Sequence, residues 1–390
     1  MFDPTRRTML GGLLAAAGAG AVGEALGAAA GPGALRQALA TPAEPRAAAA
    51  GEATNAGLGE PATPAPDVAP FRTPYKYGKL ILEKSGIPGS FDEKSVDCPF
   101  VFAADGRFYM TYVGFDGTGY QTGLATSKDL VHWERVGLIM GRDPSDPITR
   151  YNLALMCILR DDALESKATL RKVNGRYLGC WHAYPNAGYE AGPAVIGLAW
   201  SDDLRHWKRT DPILRPEDGA DWERGGLYKP YLVKSGDTYY LYYNAKNNVT
   251  HGWIEQTGVA TSKDLKTWIR YAGNPIVKAG APDSWDARFA SDPAVLRYEK
   301  WWALYYYGLA ANGRARDLIA LGENPYHFTK VPEILIDVGP PGSIDEDYAH
   351  KPSVISYQGV LYHFYCAVGG KWPNDVRGIS VARSKPWPAT

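Results

Sequence analysis

Four prolines in this chain follow runs of one design, and the residues just before each can carry charge or a proton. The runs are Ser90-Phe-Asp-Glu-Lys-Ser-Val-Asp-Cys-Pro99, Asp221-Trp-Glu-Arg-Gly-Gly-Leu-Tyr-Lys-Pro230, Ser284-Trp-Asp-Ala-Arg-Phe-Ala-Ser-Asp-Pro293 and Ser343-Ile-Asp-Glu-Asp-Tyr-Ala-His-Lys-Pro352. Each has a carboxylate at its third position: Asp92, Glu223, Asp286 and Asp345. A role repeated four times reads as architecture, such as the fixing of a turn. The two positions before the proline differ instead: Asp97-Cys98, Tyr228-Lys229, Ser291-Asp292 and His350-Lys351. Variation inside a repeated frame is what an asymmetric ligand site needs. A proline suits the first residues of a strand, where a missing N–H does least harm. The variable pairs are therefore expected at one mouth of the structure. Two carboxylates there, Asp97 and Asp292, suit general acid–base work.

These runs open larger repeats. The phrase Gly123-Leu-Ala-Thr-Ser-Lys-Asp-Leu-Val-His-Trp133 returns as Gly197-Leu-Ala-Trp-Ser-Asp-Asp-Leu-Arg-His-Trp207 and Gly258-Val-Ala-Thr-Ser-Lys-Asp-Leu-Lys-Thr-Trp268. Weaker copies are Leu318–Phe328 and Gly378–Trp387. A short apolar strand, a polar turn and a closing aromatic fit the phrase. Ahead of each copy lies a hairpin: Phe100–Gly114, Ala168–Tyr184, Tyr231–Ala245, Ala294–Gly308 and Ser353–Val368. Hairpin plus phrase predicts a sheet of three or four strands repeated five times, an all-β five-bladed β-propeller over residues 75–390. In the second repeat the proline run is only loosely matched, by Leu159–Ala168.

The proline runs, the Tyr-rich hairpins and the Ser-x-Asp-Leu-x-x-Trp phrase together resemble the five-bladed glycosidases of families 43, 32, 117 and 130, over roughly Tyr75 to Trp387. The resemblance implies a glycoside hydrolase with carboxylates on the innermost strands, one acting as acid and one as base or nucleophile. In the family pattern an Asp-Pro blade supplies the base or nucleophile, as Asp292-Pro293 would. A carboxylate two places before proline supplies the acid, as Asp97 would with Asp in place of Glu, in a ring rotated relative to the family. In the unrotated ring Asp97 is the base and Glu223 stands in for the acid from the preceding loop. Tyr228, Lys229, Arg288, His350 and Lys351 are candidates for holding substrate, and Trp181, Trp222, Trp253 and Trp285 for stacking on sugar rings. An inverting glycoside phosphorylase and a non-catalytic carbohydrate-binding propeller are the alternatives. Arg142-Asp143-Pro144 matches a family 32 motif in letters, but another Asp-Pro follows it where a strand should, so it reads as loop.

Composition narrows the field further. Formal net charge is zero and no basic patch stands out, so no nucleic acid partner is expected. The chain has 12 Trp and 25 Tyr, a supply of aromatic surface that suits a carbohydrate substrate. Cys98, Cys157, Cys180 and Cys366 show no metal-ligand spacing, and no metal or cofactor is expected. A disulfide among them is compatible with an exported protein, and so are free thiols in a substrate that crosses the membrane folded. At the N-terminus Arg6-Arg7 precedes a Gly/Ala-rich apolar stretch, which reads as a twin-arginine signal peptide over residues 1–40. The stretch is too short for a good span, so no stable membrane span is expected after processing. Residues 41–74, rich in Ala and Pro, read as a linker. The location this implies is periplasmic or secreted. Replacing Arg6 and Arg7 together by lysine should hold the precursor in the cytoplasm; normal export of that double variant, followed by cell fractionation, would refute the assignment.

Overall fold

A computed structural model describes residues 67–187, 190–247, 252–370 and 375–388. The expected signal peptide and residues 41–66 of the expected linker lie outside these residues. Within them the chain is almost wholly β, in five consecutive antiparallel groups. The first comprises strands Ser95–Ala104, Arg107–Phe115, Tyr120–Ser127 and Trp133–Met140. The second comprises Asn152–Ile158, Arg176–Tyr184, Val195–Ser201 and Lys208–Leu214, with the short Lys172–Val173 beside it. The third runs Gly226–Ser235, Thr238–Lys246, Glu255–Ser262 and Ile269–Arg270; the fourth runs Phe289–Tyr298, Trp301–Leu309, Ala315–Gly322 and Thr329–Ile336. The fifth has Tyr348–Tyr357, Val360–Gly369 and Val376–Arg383. Its outer edge is covered from the other end of the chain, by Tyr75–Lys76 and Leu82–Glu83, which both pair with Val376–Arg383.

The repeated phrase is the turn between the third and fourth strands of a group. Ser127 Oγ accepts the Leu130 N–H, and Asp129 Oδ1 accepts those of Val131 and His132. Ser201–Asp203 and Ser262–Asp264 repeat the arrangement. Side-chain oxygens thus satisfy the N–H groups of a turn that no ladder can reach. The first glycine of the phrase is there for space. A Cβ on Gly123 would lie 2.5 Å from the Tyr112 ring, and one on Gly197 would lie 2.3 Å from Trp181.

The third-position carboxylates are structural. Each accepts the hydroxyl of a tyrosine on the second strand of its own group: Tyr112 to Asp92 at 3.1 Å, and Tyr243 to Glu223, Tyr306 to Asp286 and Tyr365 to Asp345 at 3.0 Å each. Each also meets a cation from the outer strand: Arg135, Arg270, Lys330 and Lys76 respectively. The lead-in loop, the hairpin and the group's edge are clamped at one buried ionised group. In the second group Trp181 occupies the tyrosine's place, fully buried, with its indole N–H donated to Leu198 O at 2.8 Å.

The second group differs because its loop 159–171 has another task. At the far ends of the central strands this loop bonds to the first group through Ala103 N–H to Ala168 O. It bonds to the fourth through Leu164 N–H to Arg297 O, and to the fifth through Ser356 N–H to Ser166 O. At its root Arg160, 1% exposed, lies against the Phe100 ring. Its guanidinium donates to Val101 O, to Tyr231 OH and to Val354 O, on central strands of the first, third and fifth groups. Neighbouring Asp162 is 4% exposed. Burial pushes its carboxyl up to about 7, against the pull of Arg160 and Arg171.

Two outcomes follow for stability. Asp286→Asn removes the charge that Tyr306 and Lys330 share, and should cost about 1–3 kcal/mol in denaturant unfolding; an unchanged midpoint would show the clamp to be dispensable. The Asp162 carboxyl ionises more readily unfolded than folded, with an unfolded pKa of about 3.9. Its contribution is therefore complete below that pH and is lost as pH rises through about 7. Asp162→Asn should gain thermal stability relative to the parent chain as pH is raised from about 5 to 8, whereas parallel melting curves across that range would refute the account.

Candidate active site

Each central strand carries one extra residue where it reaches the axis. Registers slip between Asp97 and Phe100, Leu155 and Cys157, Tyr228 and Tyr231, Ser291 and Ala294, and His350 and Ser353. In four of these bulges the residue before proline is left-handed: Cys98 at φ 49°, Lys229 at 50°, Asp292 at 54° and Lys351 at 70°. A non-glycine residue held there is uncommon, and such residues gather at functional sites. The turn sends these side chains inward, where they line a narrow passage together with Met156 of the second group. The residues one place earlier, Asp97, Tyr228, Ser291 and His350, form a separate tier. Asp97 and Asp292, paired by their common proximity to proline, therefore occupy different tiers.

Above this ring opens a pocket of about 650 Å³, solvent at its mouth included. Its walls hold three carboxylates, Glu190, Glu255 and Asp292; the cations Lys229, Lys351 and Arg377; His350; and the rings of Tyr228, Trp253, Phe289, Tyr307 and Tyr348. An apolar wall with a few converging polar groups is the usual form of a small-molecule site.

Glu255 opens the third strand of its group. It is 2% exposed, and its oxygens accept Trp253 Nε1–H at 2.9 Å, Asn244 Nδ2–H at 2.8 Å and Ser291 Oγ–H at 2.7 Å. Burial, then the charge of Glu190, pushes its carboxyl upward. Asp292 is likewise raised by burial, ahead of the opposing pull of Lys229 and Lys351. Glu190 is half-buried on the loop after Arg176–Tyr184, where Tyr120 OH donates to its Oε1 at 3.1 Å. Neither glutamate carries a signal in the proline runs. Glu255 shares its strand with a copy of the repeated phrase, three residues before Gly258, where only a residue-by-residue comparison of third strands would have singled it out.

Asp97 is buried in an ion-pair cluster, with Lys351 Nζ at 2.8 Å and Arg377 Nη1 at 2.7 Å on its Oδ2. Burial opposes its charge, but Lys351 and then Arg377 outweigh it and hold the carboxyl well below the usual range. Asp97 is absent from the pocket wall and positions two cations that are part of it. Lys229 Nζ lies 2.7 Å from Cys98 Sγ. Burial and the charge of Asp97 push that thiol up to about 11. His350 Nδ1 is 3.1 Å from the Cys366 carbonyl, which can only accept, so this nitrogen carries the hydrogen. Burial, then Lys351, holds the ring neutral.

Of the other candidates, Glu223 is spent in the clamp of the third group, and Trp181 is core. Trp222 stacks on Tyr243 with ring centroids 6.0 Å apart, away from the pocket. Arg288 lies over Phe289 behind the wall, and Trp285 is exposed beneath Arg316 without joining the wall. All four cysteines are free and buried.

The fold and the comparisons agree on a class: the chain resembles the β-propeller glycoside hydrolase superfamily. Residues 168–325 match the N-terminal domain of glycosyl hydrolases family 32. A 1,2-beta-oligomannan phosphorylase of Thermoanaerobacter sp. (strain X514) is 30% identical over 210 residues, 47% of this chain and 60% of that protein. The chain thus spans three-fifths of the length of this relative. Among solved structures, that of a glycoside hydrolase superposes with a TM-score of 0.69 at 28% identity, covering 82% of this chain and 94% of the other. A member of a family of mannoside phosphorylases that contains glycoside hydrolases acting on beta-1,2 mannosidic linkages shares the fold, with a TM-score of 0.56, 15% identity, and coverage of 82% and 96%.

Proposed function

We propose that the chain is a carbohydrate-active enzyme of the hydrolase type, built as one five-bladed propeller closed by its N-terminal strands and acting in the periplasm or outside the cell. The carrying observation is the set of carboxylates converging on one pocket. Glu255 and Glu190 are the reactive pair. Burial and Glu190 push the Glu255 carboxyl upward, but three donors support its charged form, and it faces the anomeric carbon as nucleophile or as base for a water. Glu190, half-buried near the mouth, serves the departing oxygen as general acid. Asp292, Lys229, Lys351 and neutral His350 hold the sugar's hydroxyls from below, and the aromatic walls cover its C–H faces.

A phosphorylase needs a cationic cradle left open for phosphate. Here Lys351 and Arg377 are tied to Asp97, and Lys229 sits on Cys98. Two of the three pocket cations are thus already oriented by a protein carboxylate, which supports water as the acceptor, while the charge that Lys229 keeps beside a neutral thiol makes added phosphate the deciding test. On a panel of β-mannosides, furanosides and plant and fungal oligosaccharides, the chain should release free sugar at a rate indifferent to added phosphate. Phosphate-dependent appearance of a sugar 1-phosphate would establish the phosphorylase instead. Glu255→Gln and Glu190→Gln should each lower kcat by about 10²- to 10⁴-fold, measured below the melting temperature of each variant, since Gln at the buried 255 position meets three donors and lowers stability as well. Full activity in either variant would remove that residue from the pair.

A further inference from the structure

Ser291 lies between two carboxyl groups and has no solvent exposure. Its Oγ is 2.7 Å from Glu255 Oε2 and 3.1 Å from Asp292 Oδ1. A hydroxyl has one hydrogen and can donate to only one of them. The second contact is a hydrogen bond only if its carboxyl is protonated and donates into a lone pair of Oγ. Two ionised carboxylates on one buried hydroxyl would leave like charges facing across a single atom, which such sites avoid by keeping one proton.

The donors around Glu255 decide which end holds that proton. An indole N–H can only donate, and Trp253 gives one to Oε1; Asn244 gives another to Oε2. Glu255 is the accepting end, so Ser291 donates to it and Asp292 donates to Ser291. The left-handed turn at Asp292 folds its carboxyl back against the preceding side chain. The surroundings are mixed. Asp292 faces Lys229 and Lys351 from the neighbouring groups, Glu190 from the loop of the second group, Cys98 from the first, and Asp317 and Tyr307 from its own. Glu255 faces Glu190, Tyr228, Tyr307 and Lys246.

We propose that Asp292, Ser291 and Glu255 form one hydrogen-bonded line that stores a single proton on Asp292, and that Ser291 is a positioning residue that keeps Glu255 ionised. The inference deepens the assignment of Glu255 to the reactive pair and rests on it for its kinetic consequence. The stored proton itself is testable without substrate. Infrared difference spectra of the full chain at pH 7, parent minus Asp292→Asn, should show the carbonyl stretch of a protonated carboxyl; no such band would overturn the proposal. Ser291→Ala withdraws one donor from the Glu255 carboxylate, so its pKa should rise. The acid limb of kcat/KM should move to higher pH by about one unit, measured on whichever panel glycoside is turned over. Ser291→Thr, which keeps a hydroxyl, should restore the parent profile, and it carries the test if the alanine variant fails to fold. An unmoved acid limb in Ser291→Ala, with Glu255→Gln inactive, would overturn the line while leaving Glu255 in place. An active Glu255→Gln would instead overturn the reading beneath it.

Discussion

The constraint on which the site depends is a backbone conformation. Four residues that stand before proline adopt a left-handed turn inside a β-strand, each where the strand holds one residue too many. Without that bulge the strict alternation of a strand would aim Cys98, Lys229, Asp292 and Lys351 between the sheets, where a lone charge has no tolerable place. With it, successive side chains of the central strands arrive at the axis in two tiers. The proline that follows fixes its own φ and gives up an N–H that the broken ladder cannot use. The local strain is held because the second and third strands of these groups pair in unbroken register and the buried carboxylate clamp ties the lead-in loop to them.

Polar side chains so gathered hold one another in place. Asp97, Lys351 and Arg377 form one set, Lys229 and Cys98 another, and Asp292, Ser291 and Glu255 a third. Each set leaves its members oriented by protein contacts before any ligand arrives. Preorganisation of this kind is what makes buried dipoles and charges effective on a reacting centre. It also separates two roles that look alike in the sequence. A carboxylate locked against two cations organises its neighbours, while one short of partners can exchange a proton.

Much of the frame was legible in the sequence. The repeated phrase marked a turn, because Ser and Asp side chains must satisfy its backbone, and the varied pairs before proline marked the axis. The architectural role of Asp92, Asp286 and Asp345 followed from repetition alone. Glu223 shares that repetition, yet the unrotated ring made it the stand-in acid, and the structure spends it in the clamp instead. Glu190 and Glu255 were not legible. One sits on a loop of the aberrant second group, and the other on a third strand, and a reading anchored on proline passes over both. Trp181 misled for a physical reason: an indole fills the place where other groups put a tyrosine and its acid, and nothing in a single sequence tells a buried ring from a sugar platform.

The loop that crosses the far end of the central strands, with Arg160 beneath it, also shapes what kind of polymer chemistry suits this molecule. A passage stoppered at one end cannot be threaded. If the pocket acts on glycans as proposed, a glycan would offer only a terminus or a short branch, and what is cut off would back out through the mouth by which it entered. On that reading turnover on long chains would be a series of separate encounters with ends, with a rate that follows the number of ends in a preparation more closely than its mass.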